Sequence, residues 1–279
     1  MRIEKIKEIG ILALQDSYGT YQKLGEQGRK KTQRNRFGEM ALKADYECEE
    51  NVIRTLKKFK LPIRVLSEEH GIMNLHKNPR YLGVLDGLDG SGVYERLGNK
   101  GRYGTMFAIF TGTNPSYSDY LFAGIMEHPL NRLFFAYKNK GVFLIENGKL
   151  SKLKNITKKR LTKNSVIYVD EFFEINKKVF SNKLENYHIQ SPGASCHYYI
   201  DVLTGKADAI GECTRKDNLE IAVSFGLMNE IGGKMVTLDG ESIGEKKILV
   251  WSPKGFIPVL TIPNENLMKE MLSRINKTL

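Results

Sequence analysis

Three groups of acids stand directly after apolar runs, and their spacing suits divalent-metal chemistry. Ile63–Leu66 leads into Ser67-Glu68-Glu69, Tyr81–Leu85 leads into Asp86-Gly87-Leu88-Asp89-Gly90-Ser91, and Asp217 opens an expected helix. Carboxylates at strand ends project into the crevice where sheets bind ligands. Two aspartates three residues apart, in a loop with two glycines, can turn both carboxylates toward one point. Hard cations such as Mg²⁺ take such oxygen ligands and keep several waters. Gly90 lets the backbone approach a ligand closely. If a turn or helix begins at Ser91, its exposed N–H groups would cradle a phosphate oxygen. One short segment would then bind a metal and the anion it neutralises. This suits phosphate monoester hydrolysis, where enzymes reach roughly 10²¹-fold acceleration and metals polarise the phosphoryl group, supply hydroxide near neutral pH and steady the leaving oxygen. Asp and Gly also gather in turns for local reasons. The flanking apolar strand and the neighbouring Glu68-Glu69 favour a metal site over a plain turn.

The elements that must position these acids follow from periodicity. Ile3, Ile6, Ile9 and Ala13 recur at helical spacing, so residues 2–24 read as an amphipathic helix. Residues 25–38, rich in glycine and arginine and without apolar periodicity, read as an exposed, mobile loop. Cys48, Val52, Leu56 and Phe59 mark a helix over about 44–60, ended by Pro62. Short apolar runs then follow at hairpin-like spacing: Thr105–Phe110, Leu121–Met126, Leu133–Tyr137 and Val142–Ile145. With the two earlier runs they predict a mainly antiparallel sheet packed on the two helices. The second half alternates. Strands are expected at Ser165–Val169, Tyr187–Gln190, Ala207–Ile210, Lys234–Leu238 and Ile248–Trp251. Helices are expected at Glu174–Leu184, 194–204, 217–230 and around Leu267–Ile275. The fold class is therefore α+β in the first half and α/β in the second. The lysine-rich stretch 149–163 is the expected boundary between subdomains 1–148 and 149–279.

Composition bounds the function. At 279 residues, with 41% hydrophobic and 27% charged side chains, the chain reads as an ordinary globular protein. No apolar run approaches the ~18 residues needed to cross a bilayer, and the charged start carries no signal-peptide core. Cys48, Cys196 and Cys213 have neither disulfide nor zinc spacing and fit a reducing cytoplasm. The net charge of +11 admits nucleic acid, an anionic membrane or a small anionic substrate. Nine Lys or Arg lie between Lys138 and Lys163, and a second group comprises Arg29, Lys30, Lys31, Arg34 and Arg36. Both read as solvated surface; the second has no interleaved aromatics, no nucleic-acid motif is present, and neither nucleic acid nor membrane is expected as a partner.

The ordered set of acids resembles the inositol monophosphatase family, within the group that includes fructose-1,6-bisphosphatases and 3′-phosphoadenosine phosphatases. Leu85 to Tyr94 matches the family's D-P-[apolar]-D-G-[ST] signature with its following aromatic. Ser67-Glu68-Glu69 matches the upstream acidic pair, and Ala44-Asp45 the A-D element. Gly193-Ala194-Ser195 and Gly205-Lys206-Ala207-Asp208-Ala209 match the later helix start and strand. Lys216-Asp217 is set against W-D-x-A-A, and Glu230-Ile231-Gly232-Gly233 against E-A-G-G. Gly87 replaces the proline, Lys216 the tryptophan and Gly92 a common asparagine, and the two alanines after Asp217 are missing.

The resemblance implies a layered α-β-α-β-α sandwich and a phosphomonoesterase using two or three Mg²⁺. It implies that Glu68, Asp86 and the Leu88 carbonyl hold one ion, and Asp86, Asp89 and Asp217 a second. Asp45 would support a third through waters, and Glu68 with Ser91 would activate the attacking water. Gly90 and Ser91 N–H groups would bind phosphate, while Asp89, Asp217, Ser195 and Glu212 would face the substrate. Arg34, Arg36 or Lys43 would reach the phosphate from the mobile loop. Glu69 reads as a surface residue or a support behind the ligands rather than a ligand, and His70, His76 and His128 as surface or core residues. The expected substrate is a small phosphate ester, inositol-1-phosphate or fructose-1,6-bisphosphate or both, acted on by a cytoplasmic homodimer. The alternatives are a 3′-phosphoadenosine 5′-phosphate phosphatase, or a binding protein on a decayed phosphatase fold, to which Gly87, Gly92 and Lys216 point.

Overall fold

The computed structural model describes residues 1–156, 158, 160–251 and 255–277. Of the expected boundary stretch 149–163, residues 157 and 159 lie outside this set, as do 252–254 and 278–279 of the expected second subdomain. The helices are α1 (Ile3–Leu24), α2 (Lys43–Lys58), α3 (Ser91–Leu97), α4 (Glu174–Val179), α5 (Ser195–Leu203), α6 (Leu219–Glu230) and α7 (Glu265–Lys277). A hairpin of β1 (Lys31–Arg34) and β2 (Met40–Leu42) precedes α2. The larger sheet is built from β3 (Ile63–Ser67), β4 (Gly71–Asn74), β5 (Tyr81–Asp89), β6 (Gly104–Thr111), β7 (Tyr120–Glu127), β8 (Arg132–Tyr137), β9 (Val142–Glu146) and β10 (Lys149–Lys152). The smaller sheet holds β11 (Val166–Val169), β12 (His188–Gln190), β13 (Ala209–Cys213), β14 (Lys234–Thr237) and β15 (Pro258–Ile262).

The larger sheet runs β10-β9-β8-β7-β6-β5-β3-β4 and is antiparallel except at the parallel β3–β5 pair. The smaller runs β12-β11-β13-β15-β14, with β12, β11 and β13 parallel. Helices α1 and α2 cover one face of the larger sheet, where Ile6, Ile9, Leu14, Val52 and Leu56 pack on Phe107 and Phe122. Helices α5 and α6 fill the space between the two sheets. Helices α4 and α7 close the far side of the smaller sheet, with Phe180, Leu267 and Met271 against Ile167 and Leu260. The layers are thus helix, sheet, helix, sheet, helix, as the resemblance implied.

Several local expectations are corrected. Residues 25–38 do not form a structureless loop, since a short 3₁₀ turn leads into β1. All four residues of β1 are exposed, so no apolar alternation marks it. Ile248–Trp251 is not a strand: the Val250 and Trp251 N–H groups turn back onto the Lys247 carbonyl. The strand beside β13 is β15, whose leading Pro258 is tolerated because it stands at the strand's first residue. Lys149–Lys152, placed by its charge in the boundary stretch, is a fully exposed edge strand of the larger sheet. Among the described residues, no helix is long and apolar enough to cross a membrane.

Helix α1 lies close on the sheet because Gly10 faces Phe122. A Cβ at residue 10 would stand 2.4 Å from the Phe122 ring. Gly10→Val should therefore cost about 1–3 kcal/mol by overpacking, read as a lower urea midpoint at unchanged slope.

Candidate metal centre and active cleft

The parallel pairing of β3 with β5 sets Ser67 opposite Leu85, so Glu68 and Asp86 leave the same edge of the sheet together. The Glu68 N–H donates to the Leu85 carbonyl at 3.3 Å and ties the two exits. The register between β5 and β6 slips between Asp86 and Asp89. Such a bulge re-aims side chains at a strand end. Asp86 Oδ1 accepts the Leu88 N–H at 3.0 Å. Asp89 Oδ2 accepts the Cys196 N–H of α5 at 2.6 Å. Two glycines make the loop possible. A Cβ on Gly87 would meet the Asp45 carbonyl at 2.2 Å. Gly90 has φ +87°, and a Cβ there would meet Ala194 at 2.6 Å. Gly87 thus seats the loop against α2, a contact the family's proline would have to make differently.

One oxygen each of Asp86, Asp89 and Glu220 lie within 4.8 Å of one another, and all three residues are buried. Asp217, which the resemblance put with Asp86 and Asp89, is not in this group and pairs with Arg36 at 2.6 Å. The reason is local. Lys216, Asp217 and Asn218 all have left-handed backbones, with φ of 43°, 58° and 57°. They form an irregular turn before α6 that sends Asp217 outward and leaves Glu220, in the first turn of α6, facing inward.

The cleft has a volume of about 510 Å³. Glu68, Asp86, Leu88, Asp89, Gly90 and Ser91 line it together, as expected, with Glu220, Arg215, Lys216, Asp170 and Phe172 among the additions. Asp45, Ser195 and Glu212 do not line it. The Asp45 carboxylate accepts the Leu42 N–H at 2.6 Å, at the start of α2. Ser195 is buried as the first residue of α5, and its neighbour Cys196 supplies the N–H that reaches Asp89. Glu212 is buried and takes the Tyr199 hydroxyl as donor. Of the basic side chains expected on the phosphate, Arg36 is held by Asp217, and Arg34 donates to the Gly38 carbonyl at 2.6 Å.

Burial and mutual repulsion disfavour the charge of these acids. Burial, then Glu68 and Asp89, holds Asp86 well above the usual carboxylate range. Burial, then Glu220, pushes Asp89 up to about 6, against the opposing Cys196 N–H. Burial lifts Glu68 to about 8 although Lys216 opposes it, and lifts Glu69 to about 7. Lys216 Nζ stands 3.3 Å from Glu68 and is also paired with Glu39. Arg215 reaches Asp170 at 3.2 Å and Glu220 at 3.5 Å. Closely set, buried, oxygen-only donors of net negative charge fit a hard divalent cation and no softer one.

Two contributors were missed in the sequence. Glu220 carried a signal: Leu219-Glu220-Ile221-Ala222 keeps the apolar residue, the acid and the first alanine of W-D-x-A-A in order. The other, Glu49, is fully buried in α2. It accepts the Ser67 hydroxyl, the Glu68 N–H at 3.1 Å, the Glu69 N–H at 3.2 Å and His70 Nδ1 at 2.8 Å. It holds the turn that presents Glu68, and no sequence pattern distinguishes it from the acids around it.

The profile of the inositol monophosphatase family matches residues 3–272. No curated protein matches the chain significantly. Among solved structures, the extragenic suppressor protein suhB from Bartonella henselae superposes with a TM-score of 0.77 at 15% identity, over 98% of each chain. Inositol monophosphatase-II from Staphylococcus aureus MSSA476 gives 0.74 at 15% identity, over 97% of this chain and 93% of its own. A dual-specific IMPase/NADP phosphatase bound with D-inositol-1-phosphate gives 0.75 at 18% identity, over 99% and 97%.

The raised carboxyl groups fix the sign of a pH effect. Asp89, Glu69 and Glu68 bind protons more tightly folded than unfolded. Their stabilising share is whole below the ordinary carboxylate range, about pH 4, and is lost as pH rises from there through about 6 to 8. The melting temperature of metal-free protein in EDTA should therefore fall across that window, and saturating Mg²⁺ should flatten the fall. A melting temperature that rises with pH in EDTA would contradict this electrostatic picture.

Proposed function

Because the chain belongs to the inositol monophosphatase family and is a phosphomonoester hydrolase, we propose that it cleaves phosphate from a small polyol or sugar phosphate with Mg²⁺. The observation that carries this reading is the trio of buried carboxylate oxygens of Asp86, Asp89 and Glu220, facing the cleft beside Gly90 and Ser91. Those three side chains would hold the metal, with the Leu88 carbonyl and Glu68 lining the same cleft. When bound, it would supply positive charge to the phosphoryl oxygens and acidify an attacking water. The chain's own groups do the rest. The Gly90 and Ser91 N–H groups would orient the phosphate, as backbone donors do for anions. Glu68, raised toward neutral pH, would take the proton of the water that Ser91 positions. Glu49, through its bonds to the Ser67–His70 turn, would keep Glu68 in place.

Inositol-1-phosphate and fructose-1,6-bisphosphate are the first substrates to test. The withdrawal of Ser195 and Glu212 from the cleft supports a second reading, a nucleotide 3′-phosphate such as 3′-phosphoadenosine 5′-phosphate. Phe172 is 87% exposed at the cleft, with Phe173 edge-on at 5.2 Å. An exposed aromatic face is worth about 1–3 kcal/mol to a stacked base.

A panel of these esters with Mg²⁺ should show metal-dependent release of phosphate. Asp86→Asn should lower kcat/KM roughly a thousand-fold, and undiminished hydrolysis would refute the site. Phe172→Ala separates the substrates: a raised KM for the nucleotide alone supports the second reading, and equal KM values for all esters remove it.

A further inference from the structure

Three cationic side chains line the cleft, Arg96, Arg215 and Lys216, and the last two are each paired with an acid of the metal centre. Lys216 Nζ stands 3.3 Å from Glu68 Oε1, with Glu39 on its other side. Arg215 stands 3.5 Å from Glu220 and 3.2 Å from Asp170. Of the four acids at the centre, Glu68, Asp86, Asp89 and Glu220, only Asp86 and Asp89 have no ion-pair partner among the described residues. Two fixed negative charges are neutralised by one divalent ion. A second divalent ion would have to share Glu68 with an ammonium group that already pairs with two acids, Glu68 and Glu39 of the β1–β2 hairpin. Like charges a few ångströms apart in a partly dry cleft repel strongly.

Resting on the phosphatase reading above, we propose that the Lys216 ammonium takes the place of one metal ion at Glu68. The resting enzyme then binds one divalent cation, at Asp86, Asp89 and Glu220, rather than the two or three that the family resemblance implies. Lys216 is a positioning residue in this arrangement. It holds the Glu68 carboxylate from the side where a second ion would otherwise sit, and it joins the hairpin to the cleft. The residue expected from the family's pattern to be a tryptophan is the one that changes the charge of the site.

The test is the number of ions bound, with Mn²⁺ as probe. Metal-stripped, full-length protein is titrated with Mn²⁺, and free ion is followed by its electron paramagnetic resonance signal. Wild type and Lys216→Arg should each bind one ion per chain, and Lys216→Met should bind two. The double variant Lys216→Met, Glu68→Gln should return to one, which places the extra ion on Glu68. Circular dichroism of each variant checks folding, and Lys216→Gln serves if the methionine variant does not fold. Two ions on wild type, or one on both wild type and the neutral variants, overturns the role of Lys216 alone. A wild type that binds no Mn²⁺ and hydrolyses none of the esters sinks the phosphatase reading itself.

Discussion

Carboxylates packed where water is scarce repel one another and lose their hydration, and no fold tolerates that without opposite charge or donors close at hand. Here the acids come from three separate places: the turn after β3, the end of β5 and the first turn of α6. The structure answers each with a specific partner. The Leu88 N–H serves Asp86, the Cys196 N–H serves Asp89, Lys216 serves Glu68 and Arg215 serves Glu220. Even Glu49, outside the cleft, is saturated by a hydroxyl, two backbone donors and an imidazole. A bound cation is the last member of this set, and the protein is arranged around its charge.

That arrangement needs the layered architecture. Helices α5 and α6, buried between two sheets, bring their first turns to the loop where β5 ends. The two halves are also bound by a charged cluster whose acids are buried. Arg102 joins Glu127 of β7 at 2.5 Å to Asp201 of α5 at 2.7 Å, and Tyr168 of β11 donates to Asp201 at 2.9 Å. The centre therefore sits at a junction whose parts are held in register by both the apolar core and a polar brace.

The acids on strands were legible in the sequence because burial on both faces of β5 leaves a continuous apolar run that points at Asp86. The parallel partner β3 announces Glu68 in the same way. Asp217 misled because an acid after a strand looks like a helix start, whereas three left-handed residues delay α6 to Leu219. Backbone sign is not written in residue type when Lys, Asp and Asn occupy such positions. Ser195 and Glu212, which the resemblance set facing the substrate, do not line the cleft. The hairpin β1–β2 was invisible because β1 satisfies its backbone without burying a face and β2 is only three residues long.

The turn at 216–218 also bears on how this protein can be altered. Left-handed backbone is where glycine costs least, and each non-glycine residue there carries roughly 1 kcal/mol of conformational strain. Yet all three side chains are engaged: Lys216 with Glu68, Asp217 with Arg36, and Asn218 with the Arg215 N–H and the Trp251 carbonyl. Glycine at these sites would relax the backbone and erase those contacts. Engineering for heat resistance and engineering for turnover would thus pull this one tripeptide in opposite directions.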